Sequence, residues 1–229
     1  LHGVFDCGAD VAGSGAPAQR VVKAAHASGG VIVISDDAPP DAALPTPGTG
    51  WPHVSVRPDR CDGARLAALC DHWLARAYGG GRFREWAYVD LPRRIIVEEL
   101  LQGDDGGVPP DYKFFVFDGV PRLVQVDGGR FGEHRQTFFD PSWRVVETTY
   151  LAPRHDVAPK RPGCLPQMLE AAARLGAGLD FVRVDLYEVS GDVVFGELTS
   201  YPNAGRVRFE PTRMEHEIGS WWNLPRGYR

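Results

Sequence analysis

The stretch FVRVDLYEVSGDVVFGELTSYPNAG, residues 181–205, decides how this chain is read. Two apolar runs flank Ser190-Gly191, which predicts a β-hairpin, yet each run carries acidic residues. Where those acids point depends on the length of the turn. A three-residue loop, Val189-Ser190-Gly191, puts glycine in the left-handed conformation that such loops require. Residue 188 then pairs with residue 192, and odd-numbered residues share one face. That face carries Arg183, Asp185 and Tyr187 on one strand and Phe195, Glu197 and Thr199 on the other. The opposite face, Val182, Val184, Leu186, Val194, Gly196 and Leu198, has the two-residue period of a core surface. A two-residue turn would divide the acids between the faces and drive one into the core. The expected arrangement therefore sets Asp185 and Glu197 on one side, next to Arg183. Such a face is either the wet side of an antiparallel sheet or a set of oxygen ligands for a hard cation such as Mg²⁺. The hairpin alone leaves both open.

With 229 residues and 43% apolar content, the chain can bury the core of one large domain or of two lobes. A net charge of −5 gives no basic footprint and argues against nucleic-acid binding. No apolar run reaches membrane-spanning length, and there is no signal-peptide pattern. Cys7, Cys61, Cys70 and Cys164 show neither metal-ligand spacing nor a dense disulfide framework. Free thiols in a reducing cytoplasm are expected.

Working outward from the hairpin, residues 21–35, VVKAAHASGGVIVIS, read as strand, glycine loop, strand. Residues 38–58 are rich in Pro, Gly and Asp with little periodicity, and read as a loop or insertion. Asp62 is placed to cap a helix running to about residue 78, with Leu66, Leu69, Trp73 and Ala77 on its buried face. RRIIVEELL is a buried strand, and DYKFFVFDGVPRLVQVD a hairpin about Asp118-Gly119 whose loop has two or three residues. Pro166 opens a helix through Leu175 with Leu165, Met168, Leu169 and Ala172 inward, and an aromatic-rich tail ends the chain. Helices and strands mix without strict βαβ alternation, so the fold class is α+β.

Several short stretches have chemical potential. In KAAHASGG, Lys23 supplies a point charge beside glycines whose backbone N–H groups can approach phosphate closely. The spacing is not that of a Walker loop, and a plain surface turn explains Gly29-Gly30 equally well. IIVEELL ends in Glu98-Glu99, either a strand end entering solvent or a backbone edge that reads adenine. Asp111 and Lys113 share one face of a strand. Arg130 and His134, in VDGGRFGEHR, follow a strand ending at Asp127 and are candidates for holding an anion. A loop histidine is also commonly structural.

The order of these features resembles the ATP-grasp enzymes, and more closely the TupA-like ATP-grasp family, named for teichuronopeptide biosynthesis. LHGVFD, VVKAAHASGG, REWAYVDLPRRIIVEELL, DYKFFVFDGVPRLVQVDGGRF, FVRVDLY and FGELTSYP carry the resemblance, which runs from Leu1 nearly to Pro225. It implies two α+β lobes clasping a nucleotide: residues 1–97 with a phosphate-binding glycine loop, and residues 98–229 with the hinge, the metal site and substrate-facing strands. Lys23 would sit on the ATP phosphates beneath a loop of His26, Ala27, Ser28, Gly29 and Gly30. Glu98, Glu99, Leu100 and Leu101 would form the adenine hinge, with Asp111 and Lys113 near ribose and phosphates. Asp185 and Glu197 would hold Mg²⁺, Glu197 bridging two ions, with Thr199 where most ATP-grasp enzymes have Asn. Arg130, Arg183 and Lys113 would neutralise charge on the transferred phosphoryl group.

The sequence also departs from the family pattern. Ala27 replaces a usual glycine. Arg206 and Arg208 make the stretch after Pro202 more basic and, with His134, are expected to face an acidic substrate. Leu1 aligns inside the usual chain, so the resemblance implies that a preceding segment, one wall of the substrate site, is missing. The implied activity is an ATP- and Mg²⁺-dependent carboxylate–amine ligase. An amino-acid, peptide or cell-envelope glycan carboxylate is activated as an acyl phosphate and attacked by an amine, in polysaccharide or natural-product biosynthesis. The alternatives are a phosphotransferase acting on a hydroxyl and a catalytically silent nucleotide-binding domain.

Overall fold

The apolar strands of this sequence sort into two sheets, each with its own helical cover. The computed structural model describes residues 1–80, 85–103, 106–128, 134–200 and 202–224. Two units are distinguished, Leu1–Leu100 and Leu101–Arg229.

In the first unit the described elements are β1 (Gly3–Phe5), α1 (Gly8–Ala12), β2 (Arg20–Ala24), β3 (Val31–Ile34), β4 (His53–Val56), α2 (Gly63–Leu74) and β5 (Ile95–Glu99). The sheet runs β1-β5-β2-β3-β4, antiparallel except for the parallel β3–β4 pair. Val22, Ile32, Ile34, Val56, Ile95 and Val97 pack against Leu66, Leu69, Cys70 and Trp73 of α2. Asp62 caps α2 by accepting the Arg65 backbone N–H at 2.7 Å. The helix stops at Leu74, so Ala77, expected on its buried face, lies beyond it and is exposed. Residues 38–58 are more than a loop. They contain β4, whose Val54 and Val56 join the core, and Trp51, which packs on the same cluster. A division between residues 97 and 98 would fall inside β5, which carries Glu98 and Glu99 within the first sheet.

The second unit contains β6 (Asp111–Phe117), β7 (Val120–Gly128), β8 (Arg135–Phe139), β9 (Val145–Val146), α3 (Leu165–Leu175), β10 (Phe181–Val189), β11 (Asp192–Thr199) and α4 (Thr212–Ser220). Its antiparallel sheet runs β11-β10-β6-β7-β8-β9. One face carries Tyr112, Phe114, Val116, Val124, Val126, Val182, Val184 and Leu186 against Leu165, Met168 and Ala172 of α3. On the other face, Phe115, Phe117, Leu123 and Phe138 pack with Phe209 and with Met214 and Ile218 of α4, a helix formed within the aromatic-rich tail. All seven residues of β6 are buried, because both faces of the strand are covered. Asp111 and Lys113 share the face of Phe115 and Phe117 but lie nearer the start of the strand. That face is therefore aromatic at one end and charged at the other.

The β6–β7 and β10–β11 hairpins use the same device, and in the second it corrects the expected turn. Asp118 and Gly119, with φ of 49° and 74°, and Ser190 and Gly191, with φ of 52° and 82°, form two-residue turns with both central residues left-handed. Val189 pairs with Asp192, and Leu186 with Phe195. The register then shifts, so that Asp185 faces Glu197 and Arg183 faces Thr199. Gly196 is the extra residue of this bulge. A side chain there would begin 2.8 Å from the Tyr187 ring and 3.0 Å from the Asp185 carbonyl oxygen. The bulge returns the two acids to one face, although the turn has two residues rather than three. Phe195 moves instead to the face of Leu186, and because β11 is an edge strand Phe195 and Leu198 remain largely exposed.

Candidate active site

Four neighbouring strands contribute to the charged face. Lys113 is the register partner of Asp185 on one side and Gln125 on the other, while Asp111 faces Asp127. Lys113 Nζ donates to Asp111 Oδ2 and, at 2.8 Å, to Asp185 Oδ2. It lies 3.9 Å from Asp127 Oδ2. Arg183 forks Asp185, Nε to Oδ1 at 2.7 Å and Nη2 to Oδ2 at 2.8 Å, and Nη2 also donates to Thr199 Oγ1 at 3.0 Å. Gln125 Nε2 donates to Asp127 Oδ1 at 2.7 Å, and His134 Nε2 lies 3.7 Å from the same oxygen. Asp111, Lys113, Gln125, Asp127, Asp185 and Thr199 are buried, whereas Glu197 is exposed at the rim.

Burial of this kind would normally discharge the groups, but their partners prevent it. Burial pulls the Lys113 ammonium down, yet the Asp185 and Asp111 carboxylates outweigh it and hold its pKa above the ordinary lysine value. Burial pushes Asp185 up, and Lys113 and Arg183 together hold it below the usual carboxylate range. Burial also opposes the charge of Arg183, which Asp185 restores. The ions are therefore fixed in place before any ligand arrives.

Among the described residues, no group of three or more His, Cys, Asp or Glu side chains is arranged as a ready metal site. Both oxygens of Asp185, an expected ligand, are bonded to Lys113 and Arg183, and the Thr199 hydroxyl accepts from Arg183. The donor chemistry nonetheless suits a hard cation. Asp185 and Glu197 are register partners on one face, and carboxylate oxygens are the ligand type that Mg²⁺ prefers.

The first unit treats its candidates differently. Lys23, on β2, pairs with Glu98 on β5 at 2.5 Å, each side chain about one-third exposed. The loop between β2 and β3 is closed by the Ala24 N–H to Gly30 carbonyl bond of 2.9 Å. Within it, the His26 side chain is not presented for phosphate. It is 1% exposed, its Nε2 lies 3.1 Å from the Trp73 carbonyl oxygen, and its ring meets Trp51 edge-on. Gly29 and Gly30 have φ of 96° and 67°, and a Cβ on Gly29 would come within 2.6 Å of the Trp51 carbonyl oxygen. Close packing under Trp51 thus suffices to require both glycines. Ser28 is exposed, and the Tyr78 hydroxyl donates to Glu85 Oε2 at 2.7 Å. Burial, followed by Glu85, pushes the Tyr78 hydroxyl up to about 12. Glu99 is exposed, and Leu100 and Leu101 are half-buried.

Arg206 and Arg208 are exposed between a short helical turn, Pro202–Gly205, and α4. Arg130 lies outside the described residues. Gln125 and Asp127 were not singled out by the sequence, although LVQVD alternates with period two. The missing fact was the hairpin register, which places them opposite Lys113 and Asp111. His155 had no sequence signal. Its backbone N–H donates to Thr137 Oγ1 at 3.2 Å, its Nδ1 lies 2.9 Å from the same oxygen, and its ring occupies the space a Cβ on Gly128 would need. Burial is the main cause of its pKa lying below the ordinary histidine value.

Comparison with known proteins places the chain in a family. The model described as TupA-like ATPgrasp matches residues 69–222, most of the chain. The match begins within α2 and leaves Lys23 and the glycine loop outside it. A search of curated proteins returned no match. Among solved structures, the ATP-grasp ligase PsnB complexed with minimal precursor is similar at 14% identity and a TM-score of 0.28, over 52% of this chain and 32% of that one. PsnB complexed with a phosphomimetic variant of minimal precursor, Mg and ADP is similar at 12% identity and a TM-score of 0.28, over 62% of this chain and 38% of that one. The chain thus spans less than two-fifths of the length of these structures. On the family match, the chain belongs to the TupA-like ATP-grasp family and has an ATP-grasp fold.

Proposed function

We propose that this chain acts as an ATP- and Mg²⁺-dependent ligase in the cytoplasm, joining the carboxylate of an amino acid, peptide or cell-envelope glycan to an amine through an acyl phosphate. One observation carries this reading: Lys113 is buried, the Arg183 side chain is only 13% exposed, and carboxylates hold both cations on one face of the sheet. Catalysis of phosphoryl transfer is mainly a matter of positioning and of stabilising charge. Cations already locked in place need little reorganisation as negative charge develops. Asp185 and Glu197, with Thr199 beside them, would hold Mg²⁺, which offsets phosphate charge when bound. Asp111, two residues earlier on β6, also fixes the Lys113 ammonium.

Lys23, Ser28, Gly29 and Gly30 would contribute phosphate contacts, and Glu98 to Leu101 the adenine hinge. Arg130, His134, Arg206 and Arg208 would meet the anionic substrate. No nucleophilic side chain is required, since the amine itself attacks the activated carboxylate.

Product analysis tests the proposal. ADP and phosphate that form only when a carboxylate and an amine are both supplied, together with an amide product, support the ligase. A phosphorylated alcohol would replace it with a phosphotransferase, and ATP binding without turnover with a silent nucleotide-binding domain.

A further inference from the structure

Gln125 and Asp127 form a corner of the charged face that Lys113 and Arg183 do not satisfy. Both side chains are at least nine-tenths buried. Gln125 Nε2 donates to Asp127 Oδ1 at 2.7 Å. Reversing the amide would set its oxygen against the carboxylate, so the hydrogen bond fixes Oε1 as the other atom of the pair. That oxygen is buried and has no hydrogen-bond partner among the described residues. Buried acceptors are nearly always satisfied, so this oxygen is expected to accept from water or from a ligand.

Lys113, the register partner of Gln125, does not supply the donor. Lys113 is engaged by Asp111 and Asp185, and its 3.9 Å separation from Asp127 Oδ2 is beyond hydrogen-bond reach. His134 stands at the rim, 3.7 Å from Asp127 Oδ1, with 45% of its side chain exposed. The corner therefore offers a carboxylate and an amide oxygen, both acceptors, beside the half-exposed His134.

We propose that Gln125 and Asp127 form a binding subsite for a ligand ammonium group, that of the amine-bearing substrate. The assignment rests on the ligase reading and gives its second substrate a location. An ammonium brings three donors and one positive charge, which suits one carboxylate and one neutral acceptor. Mg²⁺ suits the corner less well, because it demands octahedral oxygen coordination and sheds water reluctantly.

The test is a side-chain amide ¹⁵N–¹H titration of the whole chain with glycinamide hydrochloride, sodium acetate and MgCl₂ in turn. The Gln125 signals, identified by their loss in Gln125→Met, are expected to shift saturably with glycinamide and not with acetate. Asp127→Asn keeps an oxygen for the Gln125 N–H and removes the charge, and it should weaken glycinamide binding roughly tenfold or more. If Asp127→Asn does not fold, glycinamide binding by Gln125→Met, followed calorimetrically, reads the loss of the amide acceptor instead. No saturable shift, a shift driven by Mg²⁺ alone, or undiminished glycinamide affinity in the folded variant overturns the subsite. Glycinamide binding without ATP turnover on any carboxylate and amine would sink the ligase reading alone. Amine-dependent turnover with an unchanged amine KM in Asp127→Asn would sink the subsite alone.

Discussion

Lys23 and Lys113 are both strand lysines facing a carboxylate, and they show two ways of holding a charge. Lys113 lies among Asp111, Asp127 and Asp185, drawn from three strands, and is almost entirely buried. Lys23 has Glu98 and is about one-third exposed. Around Lys113 the sheet register orders most of the ions, since Asp185 and Asp127 come from neighbouring strands and Asp111 from two residues earlier on β6 itself. Around Lys23 the order comes from apolar packing of Trp51 and Trp73 on the glycine loop, and water still screens the ion pair. The difference teaches where a single substitution has a large effect.

Lys113→Met should be the most severe change. It leaves three buried carboxylates without their shared cation, and breaking a buried ion pair costs about 3–5 kcal/mol. Urea unfolding measures it, and a loss no greater than that of Lys23→Met would erase the distinction between the two sites. Gly29→Ala and Gly196→Ala follow, each destabilising by roughly 1–3 kcal/mol, because one forces a left-handed Cβ onto the Trp51 carbonyl and the other crowds the bulge. Gly196→Ala should in addition weaken Mg²⁺-dependent ATP turnover, since the bulge aligns Asp185 with Glu197. A stable variant with full turnover would show the bulge to be dispensable.

The pH dependence follows from the same network. Asp185 has a depressed folded pKa, so its contribution is present above the unfolded value of about 3.9 and fades as pH falls through the lower folded value. Lys113 has a raised one, so its contribution is present below about 10.4 and fades as pH rises through the higher folded value. Unfolding free energy measured against pH should therefore be flatter on the acid side in Asp185→Asn than in wild type. An unchanged acid limb would mean that the Asp185 ion pairs contribute no net stability.

Part of this was legible in the sequence. Asp62 and the spacing of Leu66, Leu69 and Trp73 announced α2, and Leu165, Met168 and Ala172 announced α3, because local capping and period fix both. The shared face of Asp185 and Glu197 was also legible, but for a different geometric reason. Apolar alternation reports which residues share a face, whereas two compensating features, the short turn and the bulge, leave the same pattern as one longer turn. Gly196 was the available sign. Trp51 and β4 were hidden in a Pro- and Gly-rich stretch, because their partners on β3 and α2 are distant in sequence or parallel in pairing. His26 was read from its place beside glycines, while its burial depends on two tryptophans that no local pattern ties to it.

Lys23→Ala should have the smallest effect on stability, within about 1 kcal/mol, as for other exposed ion pairs. The same variant should bind ATP more weakly if Lys23 contacts phosphate. Unchanged affinity would confine nucleotide contacts to other residues.

The most direct measurement of the central claim is a calorimetric titration of ATP with Mg²⁺ into wild type, Glu197→Gln and Asp185→Asn, each checked for folding and for ATP turnover. Glu197 is exposed, so its variant tests function with little demand on the fold. The charged face of the second unit as a Mg²⁺–nucleotide site predicts saturable binding by wild type, and weaker binding and turnover in both variants. Wild-type affinity and turnover in both folded variants would contradict it, leaving the carboxylates of β10 and β11 as structural partners of Arg183 and Lys113.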